Sequence, residues 1–103
     1  MIQSRIRVTA VIEGVHCIEL NPLPGVWIKA CIDTTKQIAR FEITVLGFSI
    51  VKDFDFNDAE VDIPVGPGGV KIRYKDGKVQ INAYIVVPIY GRMETGWITL
   101  FQF

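Results

Sequence analysis

The sequence predicts an all-β protein, specifically a small antiparallel β-sandwich. Three observations lead there. Ile and Val supply 27 of the 103 residues, against four Leu and five Ala, and β-branched side chains favour pleated strands over helices. Apolar and polar residues alternate through most segments, which is the period of a half-buried strand. Turn residues recur roughly every 8–12 positions, the spacing of sandwiches and small barrels. Eight or nine short strands result, in a jelly-roll-like or similar arrangement. A closed β-barrel is the alternative, since it would show the same alternation. The length suits one domain, residues 1–103, with a single modest core.

The elements follow in order. Ile2 to Glu13 alternates with Ile6, Val8, Ala10 and Ile12 on one face, giving a long first strand that ends at Gly14. Val15–Leu20 and Val26–Ile32 flank Asn21-Pro22-Leu23-Pro24-Gly25, whose prolines cannot donate to a ladder, so the segment reads as the loop of a hairpin. Asp33 to Lys36 is a polar turn. Gln37 to Leu46 puts Ala39, Phe41, Ile43 and Val45 inward, and Gly47 interrupts it. Phe48 to Phe56 groups Phe48, Ile50, Phe54 and Phe56, and Ala59 to Val65 groups Val61, Ile63 and Val65. Gly66-Pro67-Gly68-Gly69 reads as a loop. The segment Val70 to Val87 turns on Asp76-Gly77, the pairing that a type I′ hairpin requires. Setting Lys75 opposite Lys78 aligns Tyr74 with Val79, Ile72 with Ile81 and Val70 with Ala83, and a slip of one residue would mix apolar with polar. Tyr84 to Val87 is apolar on both faces, so something covers it. Residues 88–96 read as irregular. In the last strand Trp97, Thr99, Phe101 and Phe103 share one side and Ile98 and Leu100 the other.

Ala, Val, Ile, Leu, Met, Phe, Trp, Cys and Gly make up 57 of the 103 residues, above the ~45–50% typical of soluble domains. A small chain has much surface to cover with polar groups. The excess therefore points to an oligomer interface, a partner surface or a lined cavity. Formal charge is zero, so no global field recruits nucleic acid or an anionic membrane. No run reaches the ~20 apolar residues of a spanning helix, and the alternating start is not a signal peptide, which sets a cytoplasmic location as the expectation.

Candidate sites are few. The acidic stretch offers Asp53, Asp55, Asn57, Asp58 and Glu60 as oxygens for a cation. It departs from an EF-hand loop, because Asp58 replaces the required Gly and Pro64 the bidentate Glu. The basic face Lys71, Arg73, Lys75 and Lys78 lacks the interleaved aromatics of a single-strand binder, so nucleic acid is not expected. It could instead meet the acidic stretch of a neighbouring subunit. His16 and Cys17 point to opposite faces of a strand and cannot form a dyad. Cys17 and Cys31 fall within a residue or two of facing each other. A disulfide is geometrically open to them, but without an export signal two reduced thiols are expected. No cofactor or metal centre is indicated.

The expected function is a non-enzymatic binding or assembly module that self-associates as a homo-oligomer, or binds a protein partner, through an apolar aromatic surface. Tyr84, Tyr90, Trp97, Phe101 and Phe103 are its candidate residues, because aromatics supply large contact area at low entropic cost. The alternative is a barrel enzyme or carrier holding a hydrophobic small molecule in an internal cavity. Glu19, Glu42 or Glu94 would then be the acid–base candidate, once buried.

Overall fold

A computed structural model of the protein describes residues 9–10 and 14–103. The strands are β1 (Thr9–Ala10), β2 (Val15–Leu23), β3 (Val26–Asp33), β4 (Ile38–Val45), β5 (Phe48–Asp55), β6 (Glu60–Val65), β7 (Gly68–Lys75), β8 (Lys78–Val87), β9 (Gly91–Glu94) and β10 (Ile98–Gln102), with one 3₁₀ turn at Phe56–Asp58. They form two sheets that remain unclosed, so the fold is a β-sandwich and the barrel alternative is set aside. The smaller sheet runs β2-β3-β4-β5, and the larger runs β1-β10-β8-β7-β6 with β9 also paired to β8. Pairing is antiparallel except for β1, which runs parallel to β10. The connectivity is two consecutive meanders, β2 to β5 and then β6 to β8, after which β9 and β10 both return along β8. Most of the long first strand expected over residues 2–13 lies outside the described residues; Thr9 and Ala10 pair with Phe101 and Gln102.

Turn chemistry and alternation fix the registers. Asp76 and Gly77 both take positive φ, 53° and 74°. Around them Lys75 faces Lys78, Tyr74 faces Val79, Ile72 faces Ile81 and Val70 faces Ala83, which is the register the apolar pattern demanded. The inner faces meet in one core. Ile28, Ala30, Ile32, Ala39, Phe41, Ile43 and Phe54 come from the smaller sheet, and Val70, Ile72, Val79, Ile81, Ala83 and Phe101 from the larger. Among the described residues no helix is long and apolar enough to cross a membrane.

Four local readings change. The β2–β3 turn is only Pro24-Gly25, with Gly25 at φ 78°. Pro22 rides within β2, where the ladder shifts between Leu20 and Leu23; β2 is an edge strand, so a missing donor is tolerated there. Gly68 and Gly69 belong to β7 and are buried, leaving Gly66-Pro67 as the turn. The segment expected to be irregular contains β9, which pairs Gly91 to Glu94 with Val87 to Tyr84 and so covers one edge of the apolar arm. Finally, the β8–β10 ladder shifts between Thr99 and Phe101, and that irregularity reverses the faces of the last strand. Phe101 stands opposite Val79 and is fully buried.

Cys17 stands directly opposite Cys31, with Cα atoms 4.0 Å apart, and the two are joined by a disulfide. This corrects the expectation of reduced thiols. Locating the turn at Pro24-Gly25 removes the ambiguity in register that had left the pair open. Closing a loop of this length stabilises a fold by about 2–3 kcal/mol. Cys17→Ser with Cys31→Ser is therefore expected to lower the unfolding free energy by about that amount and Tm by roughly 10–20 °C. Denaturant and thermal unfolding by circular dichroism check both figures.

Candidate functional site

Four of the five long uncharged runs in the sequence are 20–28, 43–51, 63–70 and 79–91. The two meanders bring the middle of the first three, and the last residues of the fourth, to the same end of the sandwich. There the turns Pro24-Gly25, Leu46-Gly47, Gly66-Pro67 and 88–90 lie together. Leu46 N–H donates to Gly25 O at 2.9 Å, and Val86 N–H to Pro67 O at 2.7 Å. The Leu46 side chain lies over Gly25 and the Phe48 ring over Gly66, where an added Cβ would collide with each. The opposite end is charged at every turn: Asp33 and Lys36, Asp55 and Asp58, and Lys75, Asp76 and Lys78. A fifth uncharged run, 95–103, lies along β10, where Leu100 and Phe101 are core.

The uncharged end is also where apolar side chains stand in the open. Ile89 is 100% exposed, Tyr90 85%, Phe48 58% and Leu46 55%, with Val86 beside them and Trp27 on the outer face just behind. Trp27 pairs with Thr44, two positions from Leu46, and walls a shallow recess with Glu19, Lys29 and Glu42.

Two of these exposed residues carry backbone strain. Leu46 has φ 47° and Ile89 has φ 77°. Positive φ is uncommon for any residue with a Cβ, and for a β-branched one it is an outlier, costing on the order of 1–3 kcal/mol. The turn Leu46-Gly47 has positive φ at both positions, 47° and 89°, as Asp76-Gly77 does at the charged end. Asn, Asp or Gly is the ordinary choice at its first position. The chain thus places leucine and isoleucine where turn chemistry disfavours them, and exposes both.

Prolines thin out the backbone donors at this end. All five prolines lie within the uncharged runs, and Pro22, Pro24, Pro67 and Pro88 sit in or next to its turns, each removing one N–H. The Asn21 side chain donates from Nδ2 to Leu23 O and Val26 O.

The five residues expected to form one aromatic surface are dispersed. Tyr90 alone stands at the uncharged end. Phe101 is core and offers nothing to a partner. Tyr84 is only 7% exposed on the outer face of the larger sheet. Its ring lies over Gly69, its hydroxyl donates to Asp62 Oδ1 at 2.8 Å, and the Arg92 guanidinium caps it at 3.9 Å. Burial, and then the Asp62 bond, push the Tyr84 phenol up to about 12. Trp97 is half-buried on the same outer face, beneath Arg73 at 3.8 Å. Phe103 closes the charged end, edge-on to Phe56 at 5.6 Å and Tyr74 at 6.0 Å.

The other candidates resolve locally. Arg40 donates to Asp53 Oδ1 at 2.9 Å and holds its carboxyl below the ordinary value, while Asp55 accepts from Asn57 N–H to cap the 3₁₀ turn. Asp58 and Glu60 are exposed. Among the described residues no group of three His, Cys, Asp or Glu side chains is placed to hold a metal ion. Glu60 and Asp62 stand directly opposite Arg73 and Lys71 across β6 and β7, so acidic and basic faces meet within one chain. The larger sheet's outer face also carries Arg73 bonded to Gln80, and Gln80 to Thr99. Asn82 there is 9% exposed, and its Oδ1, closed to solvent, meets no donor among the described residues. Glu19, Glu42 and Glu94 are all exposed, which removes the buried carboxylate an acid–base pocket needs.

Comparison with known protein families, with curated proteins and with solved structures returns no match.

Proposed function

We propose that this protein is a non-enzymatic binding module that docks end-on, through its uncharged apolar end, onto an apolar surface. The observation that carries this reading is the pair Leu46 and Ile89: exposed apolar side chains held at positive φ. Both turns need that backbone conformation, but Asn, Asp or Gly would adopt it at lower cost, and an exposed Leu and Ile kept there in spite of the strain point to function. The contact residues are Leu46, Phe48, Ile89 and Tyr90, with Trp27 and Val86 at the margin. The disulfide supports an oxidising compartment as the setting in place of the cytoplasmic one, since such bonds persist there.

The test separates function from stability. Leu46→Asn with Ile89→Asn is expected to raise unfolding free energy by about 0.5–1 kcal/mol per site and to abolish retention on a phenyl resin. Val15→Ser with Val51→Ser removes two exposed aliphatic side chains elsewhere and is expected to leave retention intact. Equal loss in both variants, or a fall in stability on Asn substitution, overturns the reading.

A further inference from the structure

We infer that the surface met by the uncharged end is the interfacial region of a lipid bilayer; this rests on the end-on docking just proposed and names its partner. Four observations on the molecule select lipid over protein.

The first is the absence of charge. Leu20 to Ile28, Ile43 to Val51, Ile63 to Val70 and Val79 to Gly91 contain no Asp, Glu, Lys or Arg. A protein partner tolerates charged side chains at the rim of an interface, whereas a lipid interior penalises each one. Four separate loops lacking every charge fit the second requirement.

The second is the backbone. Non-aqueous surroundings penalise each unpaired N–H and C=O. At this end prolines remove donors, Leu46 and Val86 donate to the neighbouring turns at Gly25 and Pro67, and Asn21 satisfies two carbonyls.

The third is the layering. Leu46, Phe48 and Ile89 stand at or beside the turn tips. Tyr90 shares the turn of Ile89 and Trp27 follows Gly25 by two positions, and these are the two residue types that favour the membrane–water boundary. Arg92, the next charge along β9, stacks on Tyr84 one step further back.

The fourth is shape. The molecule spans 44 × 25 × 23 Å between Cα atoms, and the uncharged end is built of four projecting turns. A fluid lipid surface conforms to separate turns of this kind.

Co-sedimentation of the disulfide-bonded chain with phosphatidylcholine vesicles tests this, alongside light scattering of the protein alone. Binding to phosphatidylcholine is expected. Adding phosphatidylserine or salt is expected to change it by less than about threefold, because no charge takes part. Leu46→Asp with Ile89→Asp is expected to lower the partition coefficient at least about tenfold. Both sites are exposed, and Asp accepts positive φ, so unchanged circular dichroism is expected to show that the variant still folds. Binding that requires phosphatidylserine and vanishes with salt overturns the inference. Absence of vesicle binding together with a concentration-dependent dimer that the same variant abolishes overturns the lipid assignment and leaves end-on docking in place. Absence of vesicle binding in a monomer that the phenyl resin does not retain overturns both.

Discussion

Phe101→Ala is expected to destabilise the sandwich by about 3–5 kcal/mol, a large share of the total for a chain of this size. The ring is fully enclosed, opposite Val79 and within the cluster that includes Ile72, Ile81 and Leu100. Neighbouring strands are held by their ladders and cannot collapse into the space, so the cavity term adds to the lost transfer energy. Urea denaturation with a two-state fit gives the value directly. A loss under about 1 kcal/mol would place Phe101 at the surface, where its sequence context alone had suggested a binding residue.

Gly69→Val is expected to cost about 3–4 kcal/mol, from overpacking plus a broken hydrogen bond. A Cβ at Gly69 would lie 2.4 Å from the Tyr84 hydroxyl oxygen and 2.5 Å from Ile63 O. The backbone contact cannot yield cheaply, so the ring must leave the sheet and release Asp62. A second readout follows from the phenol. Its folded pKa of about 12 lies above the ordinary value of 10.0. Tyr84 therefore contributes stability that is complete below about pH 10 and is lost as pH rises towards about 12. Tyr84→Phe is expected to remove that alkaline loss. Absorbance titration of the tyrosines is expected to show one phenol near 12 in the native protein and none there in Gly69→Val.

The parts of this fold that were legible in the sequence are those where the signal is local. At Asp76-Gly77 the turn residues and the alternation on both arms agree, so register, faces and the φ signs follow together. Inward positions of β3 and β4 were legible for the same reason. Phe101 was not, because nothing in Thr99-Leu100-Phe101 announces a ladder shift that reverses parity. The Cys17–Cys31 bond was half-legible: both residues fell on one face, but a loop read as Asn21 to Gly25 left their register undecided. The uncharged runs are visible in the sequence, yet their convergence at one end is a property of topology. Leu46-Gly47 carries a local sign, a Gly preceded by a single residue between two alternating runs. That pattern is a type I′ turn with an unusual first residue. Ile89 carried no such sign, since its positive φ is set by the β8–β9 connection.

Quenching of tryptophan emission by phosphatidylcholine brominated on its acyl chains tests most directly whether the uncharged end is the docking end. Trp97→Phe leaves Trp27 as the sole tryptophan, close behind Leu46 and Phe48. Trp27→Phe leaves Trp97, which precedes Ile98 and so lies near the Asn82 level of β8, roughly 17 Å from Val87 at the strand's rise per residue. End-on insertion predicts quenching of Trp27 with Trp97 unaffected. Quenching of Trp97 with Trp27 unaffected, on vesicles that bind the protein, would contradict it.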